Sequence, residues 1–179
     1  DICNAYCILK YSVLERKMYH TQERRAKKLT EPVICIKDNA WLGAGYYFWN
    51  EEIDAIHWGR TSKHRTGYFD IYTADIVCDD VLDTVFNEEH YNFWRRQIEK
   101  VAFAITKKTG QKPTLRELNA YIAEKAKWAD NITGIMFQDL PVSSELMVAN
   151  LYYRKRIQLA VYNKSIVRNF TFHDSMKCN

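Results

Sequence analysis

The sequence predicts a single α+β domain spanning residues 1–179. Three observations carry this: apolar or alternating runs of strand character at both ends of the chain, a pair of capped amphipathic helices between them, and a length of 179 residues. That length is one ordinary domain, able to bury a core without metal or disulfide staples. An apolar fraction of 47% and an aromatic fraction of 14% exclude a disordered chain. No window approaches the roughly 18 apolar residues of a membrane span, so a soluble protein without membrane contact is expected. Cys3, Cys7, Cys35, Cys78 and Cys178 are scattered and form no C-x-x-C pair. Neither a disulfide framework nor a metal site is suggested, and a reducing compartment fits best: cytoplasm, or the cytoplasm of a target cell. No leader is visible at Asp1, although a processed one leaves no trace.

The elements follow in order. Residues 5–11 (AYCILKY) read as a strand. A short helix is expected from Thr21, where Ala26 and Leu29 lie three apart on one face, and Pro32 ends it. Residues 33–36 are a short apolar run, and 36–41 form a turn. Tyr46 to Trp49 is a strand. Asn50 is a suitable N-cap for a helix over 51–58, which carries Glu51, Glu52 and Asp54 in its first turn, and Gly59 is its expected C′ residue. Residues 69–78 alternate as a strand, and VLDTVF follows.

A helical insertion occupies about 87–130. Its first helix is capped near Asn87, turns Phe93 or Trp94, Ile98, Val101 and Ile105 inward, and closes at Gly110. Its second opens with a capping box between Thr114 and Glu117, and Leu115, Leu118, Ile122 and Ala126 form its apolar stripe. Strands return at 134–140, 156–162 and 166–172.

The net charge of +4 is unevenly spread. Basic residues gather at Arg24, Arg25, Lys27 and Lys28, from Lys107 to Lys127, and at Arg154, Lys155 and Arg156. Such clusters are ordinarily solvated faces, with a polyanion-binding rim as the alternative.

Gly43 and Gly45 raise a sharper question, because a chain with only six glycines places two of them one residue apart ahead of Tyr46, Tyr47, Phe48 and Trp49. Spacing alone reads as a bulge or hairpin entering a strand, or as backbone opened for a ligand. The motif Gly43-Ala44-Gly45-Tyr46-Tyr47-Phe48 resembles the second signature of ADP-ribosyltransferases of the H-Y-E class, the class of poly-ADP-ribose polymerases and diphtheria toxin. Trp41-Leu42 before it and Trp49 after it are similar to bacterial toxin-like members. The resemblance implies a split β-sandwich and NAD as substrate. It makes Tyr47 the ring that stacks on nicotinamide, with Gly43, Gly45 and Phe48 around it.

Met18-Tyr19-His20-Thr21 is similar to the first signature, Y-H-G-T, with the glycine deleted. It makes His20 the ribose-binding histidine and Thr21 the residue whose backbone holds the carboxamide. If instead a long helix runs from Ser12 to Lys28, the strand at 5–11 takes that place with Lys10 or Tyr11. Arg156 to Tyr162 resembles the third signature, with Gln158 where the class has a glutamate. Glu145, in the segment before that strand, lies where the acceptor-recognising loop falls in related enzymes and is a carboxylate able to compensate. The resemblance covers roughly residues 18–59 and 132–170.

The implied activity is mono-ADP-ribosyl transfer from NAD to a macromolecule by a toxin or effector, for which a cognate antitoxin or immunity protein is an expected partner. Cleaving the bond between nicotinamide and ribose passes through an oxocarbenium-like state, and a neutral glutamine can align the ribose but not act as a base. That favours a single transfer over polymer elongation. A protein acceptor is favoured over nucleic acid, since basic helix faces are common. A non-catalytic binding module on the same fold is the alternative, while an RNA 2′-phosphotransferase would need an arginine and histidine pattern that is not evident.

Overall fold

The computed structural model describes residues 14–37, 40–140, 146–148 and 151–178. The strand expected at 5–11 and the residues Lys10, Tyr11 and Glu145 lie outside the described residues.

Strand β1 (Glu15–Glu23) pairs with β3 (Tyr68–Val77) without interruption, from Glu15 opposite Val77 to Glu23 opposite Phe69. The helix expected from Thr21 therefore does not form, and neither does one running from Ser12 to Lys28. The physical reason is tertiary: the segment after Glu23 offers only Ala26 and Leu29 as an apolar face, whereas nine residues in register with β3 form a continuous antiparallel ladder. The basic run is used differently. Lys28 Nζ lies 2.9 Å and Arg24 Nε 3.6 Å from the buried carboxylate of Asp70, and the Leu29 N–H donates to the Tyr72 hydroxyl at 3.1 Å. These contacts lay the segment after β1 across the sheet.

Strand β2 (Tyr46–Trp49) leads to helix α1 (Glu52–Ser62). Its N-cap is Glu51, with no side-chain capping bond, because the Asn50 amide turns to the Glu51 carboxylate at 3.2 Å. Gly59 does not end this helix but lies within it, buried against β3. A Cβ there would come within 2.3 Å of the Phe69 ring, so the absence of a side chain sets how closely α1 approaches the sheet. Gly59→Ala is expected to destabilise by about 1–3 kcal/mol through overpacking, despite a helix-propensity gain of about 1 kcal/mol. Urea denaturation checks this; an unchanged midpoint would mean that the helix rides out at no cost.

Strand β4 (Val81–Asp83) precedes α2 (Glu88–Thr109), capped by the Asn87 side chain accepting from the His90 N–H and closed by Gly110 in the left-handed region. Helix α3 (Leu115–Lys125) carries the Thr114–Glu117 capping box. Val101 and Ile105 are buried as expected, but α3 buries no residue fully, and Leu115 is 43% exposed. Apart from the short turn that follows it, α3 packs mainly against α2, so these side chains are covered partly rather than enclosed. Strands β5 (Gly134–Asp139), β6 (Arg156–Val161) and β7 (Val167–Lys177) complete the α+β domain. Among the described residues no helix is long and apolar enough to cross a membrane.

The sheet has seven strands in the order β4-β5-β6-β2-β1-β3-β7, with β4 and β5 parallel and the other pairs antiparallel. Its centre is its weakest seam. β2 and β6 pair along four residues and β1 and β3 along nine, but β1 and β2 share a single pair, Tyr19 opposite Trp49. The main core draws Met18, Ala74 and Ile76 from one half and Phe48, Met136, Leu159 and Val161 from the other. Tyr46 packs against this core, so Tyr46→Ala is expected to lower stability.

Candidate functional site

A cavity of about 750 Å³ opens where β1 and β2 part. The strand alternation explains what faces it. The Arg24 N–H bonds to the Tyr68 carbonyl at 3.1 Å, which directs even-numbered residues of β1 to β3 and leaves Tyr19, Thr21 and Glu23 directing their backbone groups toward β2. On β2, the Asn50 N–H bond to the Ile157 carbonyl sets the opposite alternation, so Tyr47 and Trp49 face β1. Beyond the Tyr19–Trp49 pair no register joins the two strands.

His20 bridges this opening. Its Nδ1 lies 2.8 Å from the Tyr47 carbonyl oxygen and must carry the proton, so Nε2 accepts, at 3.3 Å each, from the Val33 N–H and the Gln22 amide. The ring is 2% exposed and packs against Phe48 at a centroid distance of 5.2 Å. Burial pushes its pKa down to about 4, against the opposing effect of the Tyr47 carbonyl, and keeps the imidazole neutral. Thr21, also buried, donates its hydroxyl to the Ala55 carbonyl of α1 at 2.8 Å, leaving its backbone on the cavity side.

Tyr47 is held by a turn of the chain just before it. Its hydroxyl donates to the Gly43 carbonyl at 2.7 Å and accepts from the Leu42 N–H at 3.1 Å. Burial raises this phenol well above the ordinary range, so it stays protonated. Gly43 sits at φ +83°, a conformation that closes this turn, and a Cβ on Gly45 would meet the Val161 carbonyl oxygen at 3.0 Å. The two glycines thus shape the turn and let β2 lie close to β6. Neither they nor the core residue Phe48 line the cavity.

Gln158 lies on β6 opposite Trp49 and is 5% exposed. The Trp41 indole Nε1–H donates to its Oε1 at 2.8 Å. An indole nitrogen only donates, so the bond settles the amide orientation and leaves the Gln158 NH₂ without a partner among the described residues. Trp41 itself stands edge-on to Phe137 at 4.9 Å.

Sequence reasoning singled out His20, Thr21, Tyr47 and Gln158, and all four line this cavity; it missed most of the wall. Trp41, Trp49 and Trp58 supply aromatic surface, while Arg25, Lys37, Lys63 and Arg65 supply positive charge with no ion pair among the described residues. Burial, then the neighbouring Lys37, push the Lys63 ammonium below its usual range. Trp41 carried a signal, since it directly precedes the glycine motif; of the cations only Arg25 falls in a basic cluster of the sequence, while Lys37, Lys63 and Arg65 lie outside those clusters.

The two wall carboxylates are engaged. Glu23 accepts from the Thr66 N–H at 2.6 Å and its hydroxyl at 2.8 Å, and Asp139 lies 3.4 Å from Arg156. Burial disfavours the Glu23 charge, but Thr66, Arg65 and Lys63 outweigh it and hold this carboxyl below its usual range. Arg154 and Arg156, candidates for a basic rim, instead face the buried Asp54 at 3.2 and 4.0 Å, and the Arg156 guanidinium lies over Trp49 at 4.4 Å.

Comparison with family models, curated proteins and solved structures finds no match.

Proposed function

We propose that the protein is an NAD-dependent mono-ADP-ribosyltransferase of toxin or effector type, acting on a macromolecular acceptor. One observation carries the reading: His20, Thr21, Tyr47 and Gln158, drawn from three stretches far apart in the chain, line one cavity. The single Tyr19–Trp49 link supports treating the sheet as a split β-sandwich opened at the NAD site. In this reading the Tyr47 ring, fixed at both lone pair and hydroxyl hydrogen by the 42–43 turn, stacks on the nicotinamide. The β1 backbone at Thr21 holds the carboxamide, and His20 keeps the two strands in register through the Tyr47 carbonyl. The Gln158 NH₂ donates to a ribose hydroxyl and orients C1′ for displacement. A toxin of this kind implies a cognate antitoxin or immunity protein.

Nicotinamide release from NAD tests the reading. Tyr47→Ala is expected to weaken NAD binding about tenfold, the equivalent of 1–2 kcal/mol of aromatic contact. Tyr47→Phe keeps the ring but drops both turn bonds, so it should retain more activity than the alanine variant. If Tyr47→Ala folds and turns NAD over normally, nicotinamide does not stack there. The neutral amide at 158 favours one second reading, a non-catalytic binding module, which would bind NAD in calorimetry yet release no nicotinamide.

A further inference from the structure

We propose that Trp41 is the positioning residue that makes a glutamine usable at position 158, and that the helical insertion holds Trp41 in place for it. This rests on reading the cavity as the NAD site. The need for such a residue lies in the chemistry of an amide. A carboxylate presents two equivalent oxygens, so turning it over changes nothing. A glutamine presents an acceptor on one side and a donor on the other. Its last torsion is broad and roughly two-fold, so packing alone does not select between the two orientations. A neighbour that can only donate, or only accept, does select. The Trp41 indole only donates, and its Nε1–H meets Gln158 Oε1 at 2.8 Å. Without that bond the amide is free to turn over, and the donor that aligns the ribose is correctly placed for only part of the time.

What fixes Trp41 comes from the insertion. Phe137 stands opposite Gln158 on the neighbouring strand β5, and two indoles converge on its ring: Trp41 edge-on at 4.9 Å and Trp94 of α2 tilted at 4.8 Å. Trp94 thus backs the ring against which Trp41 stands. On the backbone side, Asn119 of α3 donates its amide to the Ala40 carbonyl at 3.0 Å, one residue before Trp41. The same carbonyl accepts from the Gly43 N–H at 2.9 Å, so Asn119 ties α3 to the turn that carries the indole. Phe93 and Trp128 pack into the same cluster, around Leu42. The insertion contributes no residue to the cavity wall itself. Its part is to brace, from behind, the one side chain that orients Gln158.

The test is a double-mutant cycle on the whole protein, read as single-turnover nicotinamide release from NAD. Trp41→Phe keeps a ring against Phe137 and removes the donor. It should slow release by about tenfold, the weight of one hydrogen bond in a buried setting. In the Gln158→Glu background the same substitution should cost no more than about twofold, because either carboxylate oxygen serves and the coupling disappears. Asn119→Ala, away from the wall, should act in the same direction with a smaller loss, again with glutamine at 158 and not with glutamate; it carries the test should Trp41→Phe fail to fold. Equal losses in the two backgrounds would mean that Trp41 serves only as wall, and would overturn the inference. So would no loss in either. A loss for Trp41→Phe with none for Asn119→Ala removes the part given to the insertion. All of these outcomes leave the NAD reading standing, whereas no nicotinamide from the wild type removes that reading and this inference together.

Discussion

On the proposed reading, replacing Gln158 with alanine is expected to lower nicotinamide release from NAD by about a hundredfold, the loss that misplacing a reacting centre by about 1 Å can cause. The variant should fold, since the substitution removes a side chain whose only described partner is the Trp41 indole. Gln158→Glu should behave oppositely. A carboxylate still accepts from Trp41, and its second oxygen replaces the NH₂ with negative charge beside the oxocarbenium-like carbon, so NAD hydrolysis should rise above wild type. Single-turnover kinetics separates this from binding, because the effect belongs in the chemical step. Equal rates for wild type and Gln158→Ala would move the role elsewhere on the wall, with Asp139 the nearest carboxylate in register.

The second large effect is on stability and is set by His20. Its pKa falls from 6.5 to about 4 on folding, so between those values the unfolded chain binds more protons than the folded one. Stability from the neutral ring is therefore full above pH 6.5 and is lost as pH falls toward 4. The loss is about 3 kcal/mol at 1.36 kcal/mol per pH unit. Urea denaturation at a series of pH values should show this slope in the wild type and a shallower one in His20→Gln. Parallel slopes would mean that the imidazole is not held neutral. At pH 7 the variant should also be less stable by about 1–3 kcal/mol, because the Tyr47 carbonyl loses its donor.

Much of the fold was legible because it depends on short-range chemistry. The Asn87 cap, the Thr114–Glu117 capping box, the Gly110 terminus and the strand runs of β3, β5 and β6 are each contained within a few residues, and each forms where the sequence predicts. The misreadings share a cause. Thr21 to Glu23 have helix-compatible neighbours, yet β3 offers them a full ladder; Gly59 has the chemistry of a helix stop, yet Phe69 needs the space that it leaves.

The candidate site divides along the same line. Sequence alone determined that His20, Thr21, Tyr47 and Gln158 deserved notice, since the motif around the two glycines names residue types in a recognisable spacing. Only the tertiary structure decided how they act: that Trp41 turns the Gln158 amide, that His20 spends both nitrogens on backbone and amide partners, and that Arg154 and Arg156 serve a buried aspartate. Arg25, Lys37, Lys63 and Arg65 are ordinary surface cations when read along the chain. They become one wall because β1 and β2 part after a single pair, and charge adds up by distance in space rather than by separation in sequence.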